Sequence, residues 1–382
     1  MIYLDHAAAT PLSQKAFEAM VPYFSDQFFN PSAAYLPAVA TRRAYEKAKD
    51  DIAHVIGAKG VDLVMTSGAT ESINLAFSLI DPNAETLISA VEHPAVRENA
   101  KRAANMQEIK VNSVGRIDIE DFEQKLGPRT QFISICLVSS ELGTIQPISE
   151  VAQLVSAERQ RRAIAGETLP IYLHCDASQG LGQLEVKINR LGVDLLTLNA
   201  AKIYGPKGIG ALYVGRNVRL TPQTLGGGQE MGLRSGTENV PATIAFATAI
   251  AEAEKHINSE RKRLYGLKLR FKKALADLPN IEFLGAEKVQ LPSFMPITLP
   301  GLDAERLIFA LEDREVYLST GAACAASKGV KSPTLRAIGL NDEQIAGSLR
   351  ISMGKLNDES SIDEAARHIR EVVLAEIERL KK

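Results

Sequence analysis

Lys202 stands at the end of the apolar run Val193-Asp-Leu-Leu-Thr-Leu-Asn-Ala-Ala and is followed by the turn Ile-Tyr-Gly-Pro-Lys-Gly. A lysine at the mouth of a core is partly desolvated, which disfavours its ammonium form. The neutral amine can then attack a carbonyl. A snorkelling surface lysine would show the same local pattern, so its neighbours decide. Upstream, Ile171-Tyr-Leu-His-Cys-Asp176 is an apolar strand that ends in a carboxylate. Further upstream, Val61-Asp-Leu-Val-Met-Thr-Ser67-Gly68-Ala69-Thr70 reads as a short strand, a turn of small residues and the start of an apolar-periodic helix. A helix N-terminus offers N–H groups and partial positive charge to a phosphate. Gly68 and Ala69 would let the anion approach the backbone, and Thr70 would add a hydroxyl donor. Taken singly, each is also an ordinary helix cap. Taken together they meet the needs of pyridoxal phosphate (PLP): a lysine for the aldehyde, a carboxylate for the ring nitrogen and a cup for the phosphate.

The elements that must position these residues are short strands separated by helical stretches. Strands are expected at Leu63–Met65, Thr86–Ser89, Glu108–Val111, Gln131–Val138, Ile171–Cys175, Leu195–Leu198 and Ala211–Val214. Helical periodicity covers Ser13–Phe28, Val39–Ile56 and a long stretch from Val240 to Leu278. This alternation implies an α/β fold, with a mainly parallel sheet covered by helices on both faces. Its site belongs at the carboxyl ends of the strands, where Ser67, His93, Ser140, Asp176 and Lys202 all fall. Residues 13–255 are expected to form this large domain. Residues 256–382 are expected to form a smaller α+β domain, joined by an N-terminal arm of residues 1–12. Ser156–Pro170 reads as a helix end and an exposed loop, and Glu260-Arg-Lys-Arg as a solvated face.

Across nearly its whole length the chain resembles the cysteine desulfurases of the class V aminotransferase group, within PLP fold type I. The motifs that carry this are Tyr3-Leu-Asp-His-Ala-Ala, Asn30-Pro-Ser, Ser67-Gly-Ala-Thr-Glu-Ser, Glu92-His93, Asp176-Ala-Ser-Gln179, Lys202-Ile-Tyr-Gly-Pro-Lys-Gly, Arg234-Ser-Gly-Thr237, Gly321-Ala-Ala-Cys324 and Ser348-Leu-Arg350. The resemblance implies that Lys202 carries PLP, that Asp176 supports its ring nitrogen and that Gln179 and Ser140 support its ring oxygen. It implies that His93 stacks on the ring, and that Gly68, Ala69, Thr70 and Asn199 hold the phosphate. Thr237 would reach the phosphate of a neighbouring subunit, which makes the protein a homodimer. Arg350, helped by Asn30, would hold the carboxylate of L-cysteine. Cys324 would take the substrate sulfur as a persulfide while alanine leaves. Its spacing to Leu335-Arg-Ala-Ile-Gly resembles the long-loop subgroup, which delivers sulfur to an acceptor or scaffold protein.

The likeness breaks at the phosphate cup. The family's Ser-x-His-Lys is here Asn199-Ala-Ala201-Lys202, the second of its paired asparagines is Ser140, and a usual histidine is Tyr35. Each lost hydrogen bond to a charged group costs about 1.5–3 kcal/mol. Two such losses would weaken PLP binding by roughly 100-fold if they add. Two other readings therefore stay open: a related PLP lyase or aminotransferase acting on another amino acid, and a PLP-fold scaffold without activity.

Bulk properties narrow the rest. The 382 residues carry a formal net charge of −2, which gives no reason to expect nucleic acid or an acidic membrane as partner. No apolar run reaches the ~20 residues of a membrane span, and no secretory leader is visible. Three cysteines fit a reducing cytoplasm, and Cys136 and Cys175 lie in apolar strands as core residues. The histidines show no metal-ligand spacing.

Overall fold

The computed structural model describes residues 1–320 and 331–381. Thirteen strands are described, in chain order β1 Ile2–Tyr3, β2 Leu63–Thr66, β3 Glu85–Ser89, β4 Asn105–Ile109, β5 Thr130–Cys136, β6 Tyr172–Asp176, β7 Leu195–Asn199, β8 Gly210–Val214, β9 Glu282–Phe283, β10 Ile297–Thr298, β11 Val316–Tyr317, β12 Ser319–Thr320 and β13 Ser348–Arg350. Seven of them form the main sheet, in the order β2-β8-β7-β6-β5-β3-β4. Six run parallel, and β8 runs antiparallel to both of its neighbours. The α/β class read from the sequence is the one observed. A strand buried on both faces reads as a continuous apolar run, and every residue of β5 is buried. The edge strand β4 begins three residues before the expected Glu108. Only Ile109 in it is fully buried, so it has little apolar pattern to read.

The helical stretch Ser13–Phe28 is two helices, Gln14–Met20 and Pro22–Ser25. Pro22 has no N–H to continue the first and instead opens the second. Helix Leu36–Ile56 ends at Gly57, whose φ of 74° satisfies a left-handed cap. The polar stretch after Ser156 is mostly helix, because Ile148–Ala165 runs on to a cap at Gly166. Its basic residues mislead at one point. Arg162 is 3% exposed and donates to the carbonyls of Gly127, Thr130 and Leu169. Three carbonyl acceptors and the carboxylate of Glu158 make that burial affordable.

Two cores meet on the helix Val240–Leu275. Its first part, with Val240, Phe246 and Ile250, packs with the main sheet. Its last part, with Leu264, Leu267 and Phe271, packs with Ile297, Leu349 and Ile369 over the four-stranded antiparallel sheet β12-β13-β10-β9. Between these parts, Arg263 donates to the carbonyls of Gly354 and Asn357, so the basic run is partly a clamp. The N-terminal arm joins the second core through Ile2 and Leu4, with β1 parallel to β11. It then turns back over the main sheet, where Thr10 N–H and Oγ–H both donate to Ala201 O.

Candidate active site

The carboxyl ends of the parallel strands open into a cavity of about 460 Å³. At one end is the turn after β2. Gly68, Ala69 and Thr70 line the cavity where the helix Ala69–Ala76 begins. Gly68 has φ 143°, and a Cβ added to it would meet nothing within 4 Å. Gly210 on β8 must lack a side chain, because its Cβ would lie 2.8 Å from Gly68 Cα. The first N–H groups of a helix have no intrahelical acceptor, so this open turn fits an anion. Glu71 braces the turn: it accepts from Ser67 N–H at 2.6 Å and from Arg234 Nε at 3.0 Å.

Asn199, at the end of β7, lines the same cavity. Its Oδ1 accepts from Ala201 N–H at 3.2 Å and so caps the single turn that carries Lys202. That leaves Nδ2 as the donor this residue can offer to a phosphate, where a serine would have offered a hydroxyl. Ala201 lines the cavity and offers no side-chain donor.

Lys202 is half-buried, and its Nζ donates to Ala7 O at 2.8 Å and to Ala8 O at 2.5 Å. Gln179 Nε2 donates to the same Ala7 O at 3.0 Å. Asp176, the last residue of β6, is buried; its Oδ1 accepts from Ser178 N–H at 3.0 Å and Ser178 Oγ–H at 2.6 Å. His93 follows β3 and caps the helix Pro94–Ala100: its Nδ1 accepts from Ala95 N–H at 3.1 Å. That bond places the proton of the neutral ring on Nε2. Burial lowers the proton affinity of His93, Asp176 opposes this, and Lys202 and Arg350 add to it.

Arg350, on β13, enters from the other core. It is 7% exposed, pairs with Asp5 at 2.8 Å and donates to Ser140 O at 3.2 Å. Its Nε is buried without a partner among the described residues. Glu141, beside Ser140, accepts from Ser332 Oγ–H at 2.5 Å, and burial raises its proton affinity.

Ten of the residues singled out from sequence therefore share one cavity: Gly68, Ala69, Thr70 and His93, then Ser140, Asp176 and Gln179, then Asn199, Lys202 and Arg350. Asn30 and Thr237 do not line it. Asn30 is exposed, and its Oδ1 is used in its own turn by Ser32 N–H at 2.9 Å. Thr237 is exposed beyond Arg234. Cys324 lies outside the described residues. Cys136 and Cys175 are buried, and burial drives both thiols well up, which keeps them protonated.

The model of the class-V aminotransferases matches residues 2–364. The chain belongs to that family. Within it, the chain is 35% identical to cysteine desulfurase IscS 1 of Archaeoglobus fulgidus, over all of this chain and 98% of that protein. It is 32% identical to cysteine desulfurase IscS of Methanosarcina thermophila, over 97% and 92%. Among solved structures it superposes on a NifS-like protein with a TM-score of 0.88, at 27% identity, covering 98% of this chain and 99% of that one. It also superposes on SspA in complex with cysteine, with a TM-score of 0.76 at 29% identity, covering 92% and 99%. This class-V chain therefore sits among the cysteine desulfurases along its whole length.

Proposed function

We propose that the protein is a PLP-dependent cysteine desulfurase that converts L-cysteine to L-alanine and leaves the sulfur on Cys324. The observation that carries this reading is the convergence of Lys202, Asp176, His93 and the open turn at Gly68 on one cavity, with Arg350 at its other end. These residues fit PLP. Lys202 would carry it, Asp176 and Gln179 would support its ring, and Gly68, Ala69, Thr70 and Asn199 would hold its phosphate. When bound, PLP supplies a carbonyl for the substrate amine and an electron-accepting ring.

The chain's own residues do the rest. Arg350 binds the substrate carboxylate through its planar fork. That fork must share its charge with Asp5. Lys202 Nζ leaves the carbonyls of Ala7 and Ala8 and moves the Cα proton. His93, neutral with its proton on Nε2, lies within the same wall as a proton carrier. The Cys324 thiolate attacks the substrate sulfur, so one C–S bond breaks and one S–S bond forms. The sulfur then passes to an acceptor or scaffold protein.

The working unit in this reading is a homodimer. Phe24 and Phe28 are both 65% exposed and Leu36 is 84% exposed, apolar surface that a second copy would cover. Thr237, exposed outside its own cavity, is free to serve the neighbouring phosphate. No helix among the described residues is long and apolar enough to cross a membrane, and we place the reaction in the cytoplasm.

The visible absorption spectrum tests this reading. The purified protein is read with and without added PLP, then after L-cysteine with a thiol reductant to release the persulfide sulfur, with sulfide and alanine assayed. A cofactor band that responds to cysteine, with both products formed in equal amounts, is the expected result. A keto acid in place of sulfide would move the protein to a related aminotransferase. No band in excess PLP would mean that Asn199 and Ala201 have cost it the cofactor.

A further inference from the structure

Glu92 is a carboxyl that the mechanism above does not use. It lines the cavity and is 2% exposed. Its Oε1 accepts from Ser89 Oγ–H at 2.5 Å and from Cys136 N–H at 2.7 Å. Its Oε2 is fully buried and has no partner among the described residues. Cys136 ends β5 and stands in register with Asp176, which ends β6. Glu92, three residues past the end of β3, thus reaches the tip of β5, the strand that separates it from Asp176, and both carboxyls line the cavity.

Two buried carboxylates so placed do not both ionise readily. They differ in what they are given. Asp176 has a Ser178 N–H and O–H on one oxygen. Glu92 has a bare second oxygen, and an ionised oxygen without a donor in a buried site is costly. As a neutral acid, Glu92 leaves no charge unsolvated. Burial pushes its pKa up to about 7, Asp176 pushes the same way, and the bonds from Ser89 and Cys136 oppose them. The other titratable groups packed here are the Cys136 and Cys175 thiols, held protonated by burial, and the adjacent His93, which burial keeps neutral.

We propose that Glu92 is a proton-holding positioning residue: its buried carboxyl keeps a proton into the neutral range and so adds no second full negative charge beside Asp176. The reading of the cavity as a PLP site is needed only to say what this serves. With Glu92 neutral, Asp176 can give its full charge to a ring nitrogen.

The protonation is tested without cofactor. The full-length protein, carrying glutamate labelled with ¹³C at the side-chain carboxyl, is followed by infrared spectroscopy from about pH 5 to pH 9. An isotope-shifted protonated-carboxyl band should be present below neutral pH, where a free glutamate is already ionised, fade as pH rises through neutrality, and be lost in Glu92→Gln. The isotope separates it from aspartate, and the variant separates it from Glu141. A band unchanged by Glu92→Gln, or none just below neutral pH, overturns the proposal. Should the glutamine variant fail to fold, Glu92→Asp serves: the labelled band should disappear and an unlabelled one replace it. The second arm uses PLP-loaded protein. Its absorbance should shift with pH near neutrality in the wild type and lose that inflection in Glu92→Gln, whereas superimposable titrations overturn the positioning role. A protein that takes up no PLP at all defeats the desulfurase reading while leaving the infrared result standing.

Discussion

Two cations that line the cavity, Lys202 and Arg350, rest on the same short arm, and they rest on it differently. Lys202 donates to the main-chain carbonyls of Ala7 and Ala8. Arg350 pairs with the carboxylate of Asp5, two residues earlier. A bond to a carbonyl can be given up without stranding a charge, whereas breaking a buried ion pair leaves two charges uncompensated. In the proposed reaction the lysine would leave its resting position during each turnover. The arginine is placed to stay and to share its fork. The arm sets both, because Ala7 N–H is fixed by Ser352 Oγ at 2.9 Å and Thr10 is fixed to Ala201.

The largest effect should come from the movable cation. Lys202→Ala should lower the release of alanine and sulfide by about 10³-fold or more, while the midpoint of thermal unfolding changes little. The two carbonyls it leaves can be taken by water, and Gln179 still holds Ala7 O. A large loss of stability with modest loss of turnover would reverse the comparison and make Lys202 a structural clamp.

The fixed cation should show the opposite balance. In Asp5→Ala, Arg350 is left buried and uncompensated, and the protein should lose about 2 kcal/mol of stability, reduced from the fully buried case because Asp5 is partly exposed. Denaturant titration reads this. Freed of its competitor, Arg350 should hold the cysteine carboxylate more tightly, so KM should fall. A rise in KM at unchanged kcat would show instead that Asp5 aims the guanidinium, and sharing would be the wrong description.

This contrast also marks what the sequence could show. Lys202, Asp176 and the turn at Gly68 were legible because each ends an apolar strand, and the strand–turn pattern fixes which edge of the sheet they share. The partners of the two cations were not. Asp5 and Arg350 are 345 positions apart, and Ala7 O and Ala8 O, to which Lys202 donates, are backbone oxygens, which every residue carries. Glu92 was visible only as part of a motif, since its role depends on an oxygen left bare and on a neighbour reached across β5. Asn30 and Thr237 show another limit. Their motifs are intact, yet within a single chain one side chain closes its own turn and the other faces outward. Arg162 was read as surface because a buried arginine differs from an exposed one only in the carbonyls the fold brings to it.

His93 provides the finest test, because it feels both cations. Burial is the main reason its imidazole binds a proton less readily than a free one, with Lys202 the larger and Arg350 the smaller of the two repulsions. Its proton affinity should therefore rise in Lys202→Ala and rise less in Arg350→Gln, as read by NMR of ¹⁵N-labelled histidine against pH. Linkage gives the sign for stability. Below a pH of about 6.5 the unfolded imidazole takes up a proton that the folded one refuses, so the folded state loses stability as pH falls through that window. Removing Lys202 should soften this loss more than removing Arg350, although His6 and His174, both lowered to about 4 by burial, contribute the same background to every variant. If the arginine variant moved His93 further, the fixed cation would dominate the field at the ring. The division between a lysine that moves and an arginine that stays would then have to be drawn from geometry alone.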